Sequence, residues 1–352
     1  MISQSYYNKY RPKNFKDIKG SKSAEILETQ IKNNRTTHAY IFAGPPGTGK
    51  TTLARVASAH LLCTEDQDDL KDMVLSDEHP DVYEINCAVN NGVDHIRENV
   101  VQLSRLAPTL GKYKIFILDE AQMLTTQAQT SLIKLTEEPP AYVKFFFCTT
   151  DPHKILRAIH TRCQTFLMKK LTKYNLVELL TEVCEKENLV FDEEALNLIA
   201  TDAEGSARTA LSILEQASMS DISEENIREL LDRSPKQLAI DLSFAIMNED
   251  FANAFRIIQA SNAEGRNLGN LLLETSQIFI TAFKYIVIKV KKGEREPDIE
   301  LIAKSVDTLL LIDIAEQLYN ISKDIRQTVS EDIVATTGVL KIIEKYANRE
   351  KA

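Results

Sequence analysis

From Tyr40 to about Phe166, short apolar runs alternate with longer stretches in which apolar positions recur at helical spacing. The runs AYIFAG, VYEIN, KIFILDEA, KFFFCTT and QTFLM, which start at Ala39, Val82, Lys114, Lys144 and Gln164, read as five strands. Most are apolar at consecutive positions, so both faces of the sheet they form have to be covered. With helix-length segments between them, the expectation is a parallel sheet layered by helices on two sides. In that architecture function collects at the carboxyl ends of the strands.

After about Lys170 the strand signal stops. KYNLVELLTEVCEKENL, DEEALNLIATDA and SARTALSILEQA read as helices of a small domain, with Asp192 and Ser206 as candidate caps. A break at Arg233-Ser234-Pro235 opens a third segment that is helical almost to the end, apart from a charged turn near Lys292–Pro297 and a solvated tail from Asn348. The expected fold class is therefore α/β followed by all-α, divided as 1–169, 170–233 and 234–352. No internal repeat is visible.

Composition narrows the function classes. The 352 residues are 43% apolar and 26% charged, enough for several globular cores. The formal charge of −9 argues against coating nucleic acid by bulk electrostatics and leaves room only for a local basic stripe. The five cysteines are scattered, without Cys-x-x-Cys spacing, so neither a disulfide framework nor zinc is expected, and the compartment reads as reducing. MISQSYYNKYRPK lacks the apolar core of a signal peptide. The best candidate span, Ile278–Val290, is short and interrupted by Lys284, so no membrane role and a cytoplasmic location are expected.

The chemistry lies at the strand ends. Gly44-Pro45-Pro46-Gly47-Thr48-Gly49-Lys50-Thr51 matches the Walker A pattern between an apolar strand and a helix, Thr52–Leu62. Its glycines let backbone amides wrap phosphates, the following helix adds partial positive charge, Lys50 reaches the β- and γ-phosphates and Thr51 ligates magnesium, with Thr52 next to it. Lys114–Asp119 ends in Asp119-Glu120, the form of a Walker B segment: Asp119 for the magnesium shell, Glu120 to orient and polarise the attacking water. Together these mark a nucleotide hydrolase using ATP and Mg2+. Thr149 closes the fourth strand, where it is either a polar residue that senses the γ-phosphate or simply a good strand former. Arg162 follows a helix-like stretch, Pro152–His160, and is either a solvated charge or an arginine finger inserted into a neighbouring subunit's site. Arg208 begins a helix of the second domain and either faces solvent or reaches back to the γ-phosphate.

Several segments carry a more specific pattern. Lys9-Tyr10-Arg11-Pro12 with Phe15, His38-Ala39-Tyr40, Asp119-Glu120-Ala121-Gln122-Met123-Leu124, Leu135-Thr136-Glu137-Glu138-Pro139-Pro140, Thr149-Thr150-Asp151-Pro152, Thr161-Arg162-Cys163-Gln164 and Gly205-Ser206-Ala207-Arg208 cover about Tyr7 to Gln216. In these the chain resembles the AAA+ ATPase subunits of DNA polymerase clamp loaders, and most closely the bacterial gamma/tau subunits. The resemblance implies a RecA-like AAA+ domain, a three-helix lid and a helical collar that assembles a pentameric ring with other subunits. It implies that Tyr10, Arg11 and Pro12 line the adenine pocket, that Thr149 and Arg208 are the two sensors, and that Arg162 is the finger acting in trans.

The sequence also departs from that pattern. Only Cys63 stands in 63–80, where the gamma/tau subunits carry four zinc-binding cysteines, so no zinc module is expected. Thr161 replaces the usual serine before the finger, Thr209 replaces the acidic residue that commonly follows the second sensor, and the extension that binds polymerase and helicase is expected to be absent. A phage or divergent bacterial subunit, in a bacterial or phage-infected cytosol, fits those departures. The implied partners are a sliding clamp and primer–template DNA. Arg97, Arg105 and Lys112, between the second and third strands, are candidate phosphate contacts or else a solvated face, and Leu103, Leu106 and Ala107 a candidate clamp contact. The rival readings are a nucleotide-binding stator that does not hydrolyse ATP, and another AAA+ DNA motor for branch migration or helicase loading.

Overall fold

The computed structural model describes residues 4–63, 67–232, 235–288, 296–305, 307–325 and 330–347. Residues 233–234 of the break, most of the turn near 292–297, 289–290 of the candidate span and the tail from 348 lie outside these. The chain divides into two compact units, Met1–Ile227 and Arg228–Ala352.

The first unit is built on five parallel strands: β1 (Ala39–Ala43), β2 (Val82–Asn86), β3 (Lys114–Asp119), β4 (Val143–Thr149) and β5 (Gln164–Leu167), in the order β2-β3-β4-β1-β5. All four pairings are parallel, and each coincides with a run read as a strand. Successive side chains serve opposite layers, as strand geometry requires. Tyr40, Phe42, Ile115, Ile117, Phe146 and Phe166 pack on one face with the helices Lys22–Lys32 and Lys50–Leu62. Ile41, Phe116, Leu118, Phe145 and Phe147 pack on the other with Thr126–Glu137. This double burial is why the strands read as continuous apolar runs.

The register aligns the strand ends. Asn86 pairs with Asp119 and Ala43 with Thr149, so the entry to the P-loop, the acidic pair and the strand-end threonine share one edge of the sheet. Beyond β5, Lys173–Glu187, Glu193–Asp202 and Ala207–Ala217 form the three-helix lid, the first and third capped by the hydroxyls of Thr172 and Ser206. A fourth helix, Glu224–Asp232, follows.

Pro152–His160 is not one helix. It forms a 3-10 turn, Pro152–Lys154, and a short helix, Arg157–His160, separated by extended residues. The Gln129 side chain holds the interruption open: its amide donates to the Lys154 carbonyl at 3.0 Å and accepts the Leu156 N–H at 2.7 Å, substituting for helical bonds.

The second unit is all-helical among its described residues. Leu268–Val287 lies at its centre, between Pro235–Met247 and Thr308–Ile325, around a core rich in isoleucine and leucine. Ser276, on the central helix, donates to the Ala315 carbonyl at 2.7 Å. Among the described residues no helix is long and apolar enough to cross a membrane.

Candidate active site

The loop after β1 is shaped by its glycines. The Gly44 N–H donates to the Thr149 carbonyl at 3.1 Å, so the chain leaves β1 still paired with β4, and a Cβ at this position would lie 2.2 Å from the Met168 carbonyl oxygen. Gly47 and Gly49 take φ of +74° and +86°, the left-handed region that L side chains avoid. Gly49 then caps the helix Lys50–Leu62, whose first amides point out of the loop. Such a nest at a helix N-terminus is an anion cradle. Thr48 ties the loop back on itself, its hydroxyl donating to the Pro45 carbonyl at 2.8 Å.

Lys50 is 6% exposed and its ammonium folds onto the loop, donating to the carbonyls of Gly44 at 3.0 Å and Pro45 at 2.9 Å. Burial lowers its pKa, opposed by the nearby Glu120 and Asp119 carboxylates. The Thr51 hydroxyl donates to Asp119 Oδ1 at 2.9 Å, and the same oxygen accepts the Glu120 N–H at 3.1 Å. A hydroxyl and a carboxylate facing each other under a phosphate cradle fit magnesium, which takes hard oxygens, commonly one or two carboxylates besides the phosphates. Among the described residues no group of three or more His, Cys, Asp or Glu side chains could hold a metal by itself.

Glu120 has φ +52°, a left-handed conformation that costs a non-glycine residue about 1 kcal/mol or more and is found preferentially at functional sites. It starts the tight turn Ala121–Met123, which returns the Gln122 side chain to the Glu120 carboxylate. Gln122 also accepts from the Thr149 hydroxyl at 2.9 Å. Thr149 is fully buried and does not line the pocket; its link to the acidic pair runs through Gln122.

Tyr10, Arg11 and Pro12 line the same pocket as Pro46–Thr52, Asp119, Glu120 and Arg208. Burial lowers the pKa of Arg11, with Arg55 and Arg208 adding to the effect. The Arg208 guanidinium sits 5.7 Å from the centre of the Tyr7 ring. The lid is fastened to the N-terminal segment by Tyr10 and Lys9 on Glu187, by Lys19 on Glu178 and Glu182, and by the Tyr6 N–H on Glu215 at 3.1 Å. Gly47 touches the lid directly: a Cβ there would meet Ser206 Oγ at 2.1 Å.

Other candidates lie apart. Arg162 does not line this pocket; it pairs with Glu137 at 2.6 Å and donates to the Ala158 carbonyl at 2.6 Å. Arg97, Arg105 and Lys112 are exposed between β2 and β3, Arg97 3.9 Å from Asp94. Leu103 is half-buried, while Leu106 and Ala107 are exposed. The following loop hangs on Asp81, which is buried and accepts the N–H groups of Thr109, Leu110 and Gly111 at 2.6, 2.7 and 2.8 Å. Burial works against the Asp81 carboxylate, but these bonds hold its pKa below the usual range. Sequence reasoning assigned no role to Tyr7, Ile18, Lys19, Leu171, Leu179 and Leu211, which line the pocket, or to Gln122. Gln122 did stand in a quoted motif; the lining residues come from elements far apart in the chain and share no local pattern.

Two family models match in succession: DNA polymerase III, delta subunit, over residues 20–172, and the ATPase lid domain of the DNA polymerase III clamp loader subunit over residues 175–220. Residues 20–220 belong to the clamp loader family of DNA polymerase III. Relatives named as DNA polymerase III subunits extend the similarity. The chain is 35% identical to the DNA polymerase III subunit gamma/tau of Mycoplasma genitalium over 303 residues, 82% of this chain and 50% of that one. It is 36% identical to the DNA polymerase III subunit tau of Bacillus subtilis over 225 residues, 62% and 40% of the two chains. The chain thus spans half or less of the length of these relatives. Among solved structures, the Thermotoga maritima RuvB Holliday junction branch migration motor aligns with TM-score 0.50 at 15% identity, covering 65% of this chain and 78% of that one. At that identity the likeness establishes the shared fold alone.

Proposed function

We propose that the chain is an ATP-hydrolysing subunit of a sliding-clamp loader. The observation that carries this reading is the placement of Glu120 beside Thr51, Asp119 and the Lys50 loop in one pocket, with a hydrogen-bonded path to Thr149. A nucleotide-binding stator needs the cradle but not a carboxylate poised over it.

In this reading the loop amides and Lys50 hold the phosphates, while Tyr10, Arg11 and Pro12 hold the base. Thr51 and Asp119 hold magnesium, which when bound neutralises charge developing on the phosphates. Glu120 orients the attacking water and takes up its proton. Arg208 stabilises the γ-phosphate from the lid. Arg162, turned away from its own pocket, serves a neighbouring subunit in a pentameric ring.

ATP binding would favour an assembly with high affinity for an open clamp and primer–template DNA, and hydrolysis would release the closed clamp. Only a difference in affinity between the ATP and ADP states can drive such a cycle. Arg97, Arg105 and Lys112 supply phosphate contacts, which suit recognition of any primer end. The test is steady-state ATP turnover by the chain assembled with its companion subunits, with and without clamp and primed DNA. Stimulation by both ligands supports the loader; turnover indifferent to both points to another motor, and nucleotide binding without turnover to a stator.

A further inference from the structure

We infer that Gln122 is a positioning residue for hydrolysis: it sets the Glu120 carboxylate and couples that setting to Thr149. The inference rests on the ATPase reading above and gives a role to the side chain through which its path to Thr149 runs.

The hydrogen-bond donors around Gln122 fix which way its amide points. The Glu120 carboxylate can only accept, so the NH2 end must face it; the Thr150 backbone N–H can only donate, at 3.2 Å, so the oxygen end must face that strand. The Thr149 hydroxyl donates to the same oxygen at 2.9 Å. One side chain therefore spans the carboxylate at the end of β3 and the hydroxyl at the end of β4, neighbouring strands of the sheet. Its hydrogen bonds all go to Glu120, Thr149 and Thr150, whereas packing in this turn is supplied by Ala121 and Leu124, which are 0% and 5% exposed. Gln122 itself is half-buried.

Two consequences follow from the inventory of donors. The Thr149 hydroxyl has a single hydrogen, shared between Gln122 and the Asp151 carbonyl at 3.0 Å. Loss of the Thr149 hydroxyl would remove one of the bonds holding the Gln122 oxygen, and the change would reach Glu120 through the other end of the amide. Glu120, in its left-handed turn, has no other side-chain hydrogen bond among the described contacts, so its aim at water depends on this amide.

The test uses the full chain in its assembly, comparing wild type, Gln122→Ala and Gln122→Met by kcat, KM for ATP and the affinity for a non-hydrolysable ATP analogue. Loss of a positioning contact on a catalytic base should lower kcat of Gln122→Ala by about 10- to 100-fold, with KM and analogue affinity within about twofold of wild type. Gln122→Met keeps the length of the side chain but cannot donate to Glu120, so its kcat should fall to a similar extent. Unchanged kcat in Gln122→Ala, a loss carried by KM and analogue affinity, or wild-type kcat in Gln122→Met overturns the inference while wild-type turnover stands. Absence of wild-type turnover overturns the hydrolytic reading, and the inference with it.

Discussion

Replacing Gly47 by alanine should uncouple two functions of the P-loop that meet at one atom. Gly47 holds φ +74°, where a Cβ costs about 1–2 kcal/mol. The added Cβ would also lie 2.1 Å from Ser206 Oγ, far inside contact distance. That hydroxyl cannot swing away without loss, since it caps the helix Ala207–Ala217 by accepting the Thr209 N–H at 3.2 Å, and such a cap contributes about 1 kcal/mol. The combined cost of keeping the loop in its amide-presenting form is about 2–3 kcal/mol, the sum of the two effects. Binding needs that form, so depleting it weakens ATP affinity by the same free energy, about 30- to 150-fold in Kd. Titration with a fluorescent ATP analogue reads this directly. In a Ser206→Ala background the cap is already lost and the nearest obstructing atom removed, so Gly47→Ala should cost about 1 kcal/mol less there. Gly47→Ala binding within about threefold of wild type, or an equal loss in both backgrounds, would refute the reasoning.

Three further outcomes test other parts of the molecule. Arg162→Ala should lower turnover of the assembly on the order of 10³-fold, leaving ATP binding by the isolated chain unchanged because Arg162 lies outside its own pocket. Mixing Arg162→Ala with Lys50→Ala should restore activity wherever copies adjoin, and a mixture as inactive as its parts excludes a finger acting in trans. Thr51→Ala should raise by about tenfold or more the magnesium concentration giving half-maximal turnover, since one of two protein oxygens is removed; an unshifted titration contradicts the assignment. Lys144 is buried against Thr36, Thr37 and the Tyr113 ring, and burial, with Lys112 nearby, lowers its pKa from 10.5 to about 8. Between about 8 and 10.5 the unfolded chain then binds the extra proton, so wild-type stability should rise with pH across that window relative to Lys144→Met. Urea midpoints that run parallel for the two proteins would count against it.

What was legible in the sequence divides along a physical line. The five strands and the phosphate loop are local: double burial forces continuous apolar runs, and wrapping a phosphate forces Gly47, Gly49, Lys50 and Thr51 into neighbouring positions. The expectation of a single helix over Pro152–His160 failed because the deciding partner is Gln129, on another helix, whose amide replaces two backbone bonds. Nothing in the local pattern announces such a bond. The same holds for Gln122 with Thr149, for Tyr7 with Arg208 and for Arg162 with Glu137, pairs that only the packed chain brings together.

The contacts also indicate which part of the nucleotide unit can respond to its ligand. The P-loop, Asp119 and Thr149 are anchored to strands whose side chains are almost wholly buried on both faces, so moving them would disturb a close-packed core. The lid helix Lys173–Glu187 is tied to the N-terminal segment through Lys9, Tyr10 and Lys19 on glutamates 178, 182 and 187, several of them exposed to solvent and therefore screened. Arg208 and Ser206 ride on that lid, one facing the pocket and the other against Gly47. On the proposed reading, a phosphate that attracts Arg208 would act on this lid, while the sheet keeps the ends of β3 and β4 in register. In that reading the lid would carry nucleotide state to neighbouring subunits while the strand ends hold the P-loop and Asp119 in place.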